Sequence, residues 1–211
     1  MAKPANFNEI KKCIKNWNGN RGNDSSIMNC FDQGNSFKYK NEYDMSQYSA
    51  ANQVLHVYPG MDDQGTFYMF LIPQAEDIAQ SDSALFNAIT ICEVEPNIGN
   101  SHEIPSQEAI LRIDTWKKDY PTWTRNQITK SVVSGGVFQA FYMPADYLVQ
   151  YDEYITYLGL QTSTTAATGF DADLITTDLR QANVYYDTAR PVPPFHALPV
   201  SQSSFYLLTI S

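Results

Sequence analysis

Gly136-Val137-Phe138-Gln139-Ala140-Phe141-Tyr142-Met143-Pro144 repeats the pattern of Gly65-Thr66-Phe67-Tyr68-Met69-Phe70-Leu71-Ile72-Pro73, 71 positions upstream. Glycine, two phenylalanines and proline recur at the same spacing. Two further landmarks accompany them. Glu9, Ile14 and Trp17 match Glu108, Ile113 and Trp116 at an offset of 99, and Ile89-Thr90 matches Ile155-Thr156 at an offset of 66. Three matches in one order read as an internal duplication. The expected fold is α+β: two related helix-plus-antiparallel-sheet units, pseudo-duplicated. Residues 1–103 form the first unit, with a polar insertion over 21–48, and residues 104–211 form the second.

Each unit has a physical reading. Ile10, Cys13, Ile14 and Trp17 recur three and four apart, one face of a helix. Ile113 and Trp116 do the same in the second unit, behind Ser106 as an N-cap. The aromatic stretches follow glycine and are rich in strand formers. Proline closes each of them, because it cannot donate to a sheet ladder. Short helices are expected over 74–80 and 145–150.

Val54 to Tyr58 should pair with Thr66 to Ile72 across the turn-forming Pro59-Gly60-Met61-Asp62-Asp63-Gln64-Gly65. Residues 86–94, 128–133, 154–161, 184–187 and 205–210 read as strands. Residues 174–181 read as a short helix. Residues 21–48 read as a long loop with a short strand over 36–39. The prolines of Arg190-Pro191-Val192-Pro193-Pro194 should stop the strand before them.

Composition sets the outer limits. The 211 residues are 43% hydrophobic and 13% aromatic, enough for a core. The formal net charge of −9 argues against nucleic acid, whose phosphates call for lysine and arginine. No run approaches a membrane span, and Met1 to Asn6 has no apolar core of a secretory signal. The expected location is the cytoplasm. Cys13, Cys30 and Cys92 form no CxxC pair, and Cys13 and Cys92 read as small buried hydrophobes.

No nucleotide-binding, P-loop, GxSxG or HExxH motif is present. The best cluster of reactive types is Tyr185, Tyr186, Asp187, Arg190 and His196 on a proline-rich turn. These side chains could bind a polar ligand, with His196 as a base. Alternatively Asp187 and Arg190 make a local ion pair and the prolines shape a loop. Asp171, Asp173 and Asp178 offer carboxylates to a hard cation but lack the rest of a calcium loop. Asp62 and Asp63 belong to their turn. His56 reads as outward-facing or satisfied within its strand, and His102 lies in a loop. No metal or cofactor is expected.

Fourteen tyrosines suit either a protein- or carbohydrate-facing surface or the wet face of a small sheet. The first functional expectation is a non-enzymatic binding or interaction module for a protein or a small polar ligand. A hydrolase using Asp187 and His196 is the second. A homo-oligomer paired through the strand at 205–210 is the third.

Trp116, Met143-Pro144, Tyr157-Leu158-Gly159-Leu160, and Tyr186-Asp187 followed by Arg190-Pro191-Val192-Pro193-Pro194 resemble a group of uncharacterised small bacterial proteins over residues 104–200. Val192 stands where that group has cysteine, so the resemblance implies no metal or redox role here. It implies kinship of fold and carries no activity.

Overall fold

The computed structural model describes residues 3–95, 107–130, 135–164, 166–180, 185–187, 189–192 and 204–211. The α+β class holds. Four antiparallel strands form one sheet in the order β1(Ser36–Lys40), β6(Glu153–Thr162), β7(Phe170–Asp178), β8(Tyr185–Asp187). Five form the other, in the order β4(Thr90–Glu93), β3(Phe67–Pro73), β2(Val54–Met61), β5(Ala140–Pro144), β9(Arg190–Val192). We call them the four-stranded and five-stranded sheets. A bridge between Ser36 and Glu95 joins their edges on one side.

Side chains alternate between the two faces along each strand, and the inner strands are buried at nearly every position, so each sheet has two covered faces. Leu55, Val57, Met69 and Phe141 of the five-stranded sheet share the central core with Tyr154, Leu158 and Leu174 of the four-stranded sheet. On its outer face the five-stranded sheet presents Tyr58, Tyr68, Phe70 and Ile72 to α1(Phe7–Asn20), α3(Asp82–Ala88) and α5(Tyr206–Ile210). The four-stranded sheet presents Tyr157 and Ile175 to α4(Gln107–Lys130). The result is helix, sheet, sheet, helix, with α2(Asp24–Phe31) adding Ile27, Cys30 and Phe31 to the central core.

The stripe of α1 behaves as its spacing requires: Phe7, Ile10, Cys13, Ile14 and Trp17 are buried, and Asn6 caps the helix by accepting from the Glu9 amide at 3.1 Å. The Gly60 position lets this helix lie close on β2. A Cβ there would stand 2.4 Å from Phe70 Cε2 and 3.0 Å from Cys13 Cβ.

The expected hairpin is present and longer than its turn chemistry suggested. Pro59, Gly60 and Met61 stay in β2, opposite Met69, Tyr68 and Phe67. Asp62 makes the turn by accepting from the amides of Gln64 at 2.9 Å and Thr66 at 2.8 Å.

The repeated stretches flank the same strand. His56 of β2 lies opposite Ile72 on one side and Tyr142 on the other. Trp17 is stacked by the matched pair Phe67 (5.2 Å) and Phe138 (5.7 Å). Other matched positions differ: Phe70 faces the outer helices while Phe141 faces the central core. Ile89-Thr90 leads into an edge strand, Ile155-Thr156 into an inner one. Both sheets also draw strands from both halves of the chain. Pseudo-duplication is therefore not established by the fold.

Several local expectations are corrected. Residues 206–210 form a helix where a strand was expected over 205–210, with the adjacent Leu207 and Leu208 both buried on its inner side. Residues 174–178 belong to β7 and not to a helix, since Leu174, Thr176 and Asp178 complete the ladder with β6. Helix α4 runs through Pro121 to Lys130, displacing the strand expected from 128. Residues 82–88 are helical, so the strand there begins only at Thr90. Residues 74–80 and 145–150 are turns and not helices. In the polar stretch 21–48 the short strand expected over 36–39 is present as β1, but the residues before it are not all loop, since they hold α2. The strand before the prolines ends at Asp187 as expected, and Arg190–Val192 then form a separate strand in the other sheet: β9 takes the outer edge beside β5, and Pro191 sits opposite Phe141.

Candidate binding site

Proline at 144 ends β5, and the chain must turn before Glu153 opens β6. The connecting residues are pinned from beneath. Asn41 is fully buried and donates from Nδ2 to the carbonyls of Val149 (3.1 Å) and Tyr43 (3.0 Å). Its backbone donates to the Asp152 carbonyl at 2.8 Å and accepts from the Tyr151 amide at 2.6 Å. The Tyr154 hydroxyl accepts from the Val149 amide at 2.8 Å. One carboxamide and one phenol thus fix the path of the loop.

That path places Tyr151 at φ +70, the left-handed region that a bulky residue occupies only when its surroundings demand it. The side chain it directs outward is 60% exposed, and neighbouring Val149 is 52% exposed. Beside them lies a cleft of about 410 Å³ lined by Asp44, Ser46, Gln53, Asp146 and Gln150. Asp44 caps a turn of 3-10 helix by accepting from the Ser46 amide and hydroxyl. The Lys40 ammonium stands 5.1 Å from the Tyr151 ring centroid, so that ring already accepts a cation.

Of the residues singled out by sequence, Tyr186 reaches this region. Its ring stacks on Tyr147 of the same loop, 3.7 Å between centroids and 7° from parallel. Burial, with Asp178 and Asp146 nearby, raises the Tyr186 phenol above its ordinary range. Burial likewise raises Tyr147, opposed by Thr176.

Tyr185 lies on the same strand, half-buried against the α4 side of the sheet. Asp187 pairs in register with Ile175, whereas Arg190 has crossed to the other sheet, opposite Tyr142. The four described members of the cluster therefore straddle two sheets. His196 lies outside the described residues, and so does the pairing of Asp187 with His196 on which a hydrolase would rest.

The expected tyrosine-rich face is largely internal. Tyr39, Tyr58, Tyr68, Tyr154 and Tyr157 are buried, and among all fourteen only Tyr151 is exposed. Asp171, Asp173 and Asp178 do not converge, because Asp173 is taken by Arg112 at 2.9 Å and Asp178 accepts from the Arg180 amide. Among the described residues no group of three His, Cys, Asp or Glu side chains could hold a metal ion.

Two other polar places were candidates. A pair of adjoining clefts, about 210 and 410 Å³, lies at the hairpin tip between Asn16, Asp62, Asp63 and Gln64. The other is internal. His56 Nδ1 meets Asp77 Oδ2 at 2.6 Å, and the Tyr58 hydroxyl donates to the same oxygen. Sequence reasoning missed Asn41, Asp77 and Tyr151, because nothing local marks a carboxamide or carboxylate whose partners lie far along the chain.

No family model, no curated protein and no solved structure matches the chain.

Proposed function

We propose that this protein is a non-enzymatic interaction module that docks a partner on the rim formed by Val149 and Tyr151. One observation carries the reading. An aromatic side chain is held outward by a backbone conformation that costs about 1–3 kcal/mol, and buried Asn41 and Tyr154 enforce it. Strain of this kind persists where presentation of the side chain is useful, and rigid exposed tyrosines are frequent anchors of interfaces. Asp44 and Asp146 on the rim, with a net charge of −9, favour a basic partner surface.

The partner is a protein and not a nucleic acid, by the same charge. A cytoplasmic setting suits the three free, buried cysteines. The resemblance of residues 104–200 to small bacterial proteins supports kinship of fold. Homo-oligomerisation loses the strand at 205–210 on which it was reasoned.

A photo-crosslinking residue placed at 151 tests this in cells, with the same residue at Leu111, 64% exposed on α4, as control. The expected result is a discrete adduct from position 151 alone, lost when Val149 becomes Asp. Equal adducts at both positions, or none at 151, would overturn the reading. An adduct of twice the chain mass would identify the partner as a second copy.

A further inference from the structure

The C-terminal segment rests on a polar cluster that the docking rim does not use. His56 and Asp77 are buried on the outer face of the five-stranded sheet. Asp77 is an acceptor at both oxygens: Oδ2 faces His56 Nδ1 and the Tyr58 hydroxyl, and Oδ1 accepts from the Leu207 amide at 3.2 Å. With Nδ1–H committed to Asp77, a neutral imidazole carries its lone pair on Nε2. Among the described residues, Nε2 is buried and has no hydrogen-bond partner. Such an atom calls for an explanation, because buried polar groups are otherwise satisfied.

The ring that covers the imidazole shows what shape fits there. Phe205 stacks on His56 with centroids 4.0 Å apart and planes 23° from parallel. Tyr58 meets Phe205 edge-on at 5.9 Å, and Tyr142 stands 6.4 Å from His56. Phe205 is the N-cap residue of a five-residue helix, Tyr206–Ile210, and makes no side-chain cap hydrogen bond to it. A helix this short is not stable by itself and opens at lower free energy than the sheet it covers.

We propose that His56, Asp77 and Tyr58 form an occluded ligand site, closed by Phe205 and the helix after it, for a small planar aromatic compound that carries a hydroxyl group. The ring takes the place of Phe205 and the hydroxyl donates to Nε2. Asp77 acts as a positioning residue, holding the tautomer that leaves Nε2 as an acceptor.

Phenol and benzene are the probes, titrated into the full-length protein and into Phe205→Ala while the His56 ring resonances are followed by NMR. Phe205→Leu serves as the second variant should the alanine form fail to fold. The wild type should bind phenol weakly, because Phe205 competes for the place. The variant should bind it about tenfold or more tightly. Phenol should exceed benzene by about tenfold, since only phenol satisfies Nε2, and the His56 resonances should move with phenol. Equal binding of benzene and phenol would reduce the site to an apolar cavity and overturn the proposal. So would phenol binding that leaves His56 unmoved, or no binding to either variant.

Discussion

Each sheet buries one acid–base pair beneath a helix on its outer face, and the two pairs are built differently. Under α4, the Arg112 guanidinium donates to Asp173 at 2.9 Å and to Glu108, whose side chain is 71% exposed. That arrangement reaches water through Glu108. Under α5, His56 and Asp77 are 1% exposed or less at their side chains. That arrangement is sealed. The first fastens a helix to a sheet and keeps an exit to solvent. The second encloses three donors around one carboxylate and leaves an imidazole nitrogen over. Burial of a charge-bearing group costs less when one member of the cluster stays hydrated, so the sealed pair is the more demanding of the two.

Removing the acid from each pair breaks the comparison most directly. Asp77→Ala strands the Tyr58 hydroxyl, the His56 Nδ1–H and the Leu207 amide in a dry site, and should lower stability by roughly 4 kcal/mol. Asp173→Ala leaves Arg112 with Glu108, and should cost about 3 kcal/mol. Urea unfolding of both variants checks the order; a larger loss at Asp173 would mean that the solvent exit contributes nothing.

The helix-facing side of the four-stranded sheet gives a smaller effect. Gly159 lies opposite Asp173, where a Cβ would stand 2.9 Å from Ile175 Cδ1 and 3.4 Å from Arg112 Cβ. Ile175 Cδ1 is the end of a side chain and can yield, so Gly159→Ala should cost about 1–2 kcal/mol. No loss in urea unfolding would mean that α4 has room to lift.

The exposed loop should show the smallest change in stability and the largest in binding. Tyr151→Gly relieves the left-handed backbone but adds chain entropy to the unfolded state. Its stability should stay within about 1 kcal/mol of the parent, on the stabilising side. Crosslinking from a probe at Val149 should fall in the same variant.

Alkali offers a separate check on the core. Burial pushes the thiols of Cys13, Cys30 and Cys92 from an ordinary value of 9.0 up to about 12. Above about pH 9 the unfolded chain therefore releases protons that the folded chain keeps, and stability falls as pH rises. Denaturation midpoints measured from pH 8 to pH 10 should decline, and the folded protein should resist iodoacetamide at pH 8.

Much of the fold was legible wherever a local pattern has one physical solution. The α1 stripe from Ile10 to Trp17, the Asp62 turn and the β2–β3 hairpin all follow from periodicity and turn chemistry within about twenty residues. Legibility failed where the same residues suit two structures. Tyr206 to Ile210 has strand composition, yet it is a helix because its buried residues face α1 and β2. Leu174 to Asp178 carries polar residues that resemble a helix surface, yet Thr176 is buried against Thr156 at 2.8 Å in a sheet interior. The candidate site divides in the same way. Tyr186 was visible as part of a reactive-looking cluster, but its partner Tyr147 was not.

What the sequence determined alone is therefore local and compositional: the α+β class, the acidic charge, the burial of Cys13 and Cys92, the first helix and the hairpin. Tertiary structure decided the rest. It interleaved both halves of the chain in both sheets, buried five of the fourteen tyrosines, brought Asn41 under Tyr151 and closed Asp77 around His56. The physical reason is that each of these depends on contacts between residues far apart in the chain. Hydrogen-bond satisfaction of a buried carboxylate or carboxamide is settled only when distant strands and helices meet.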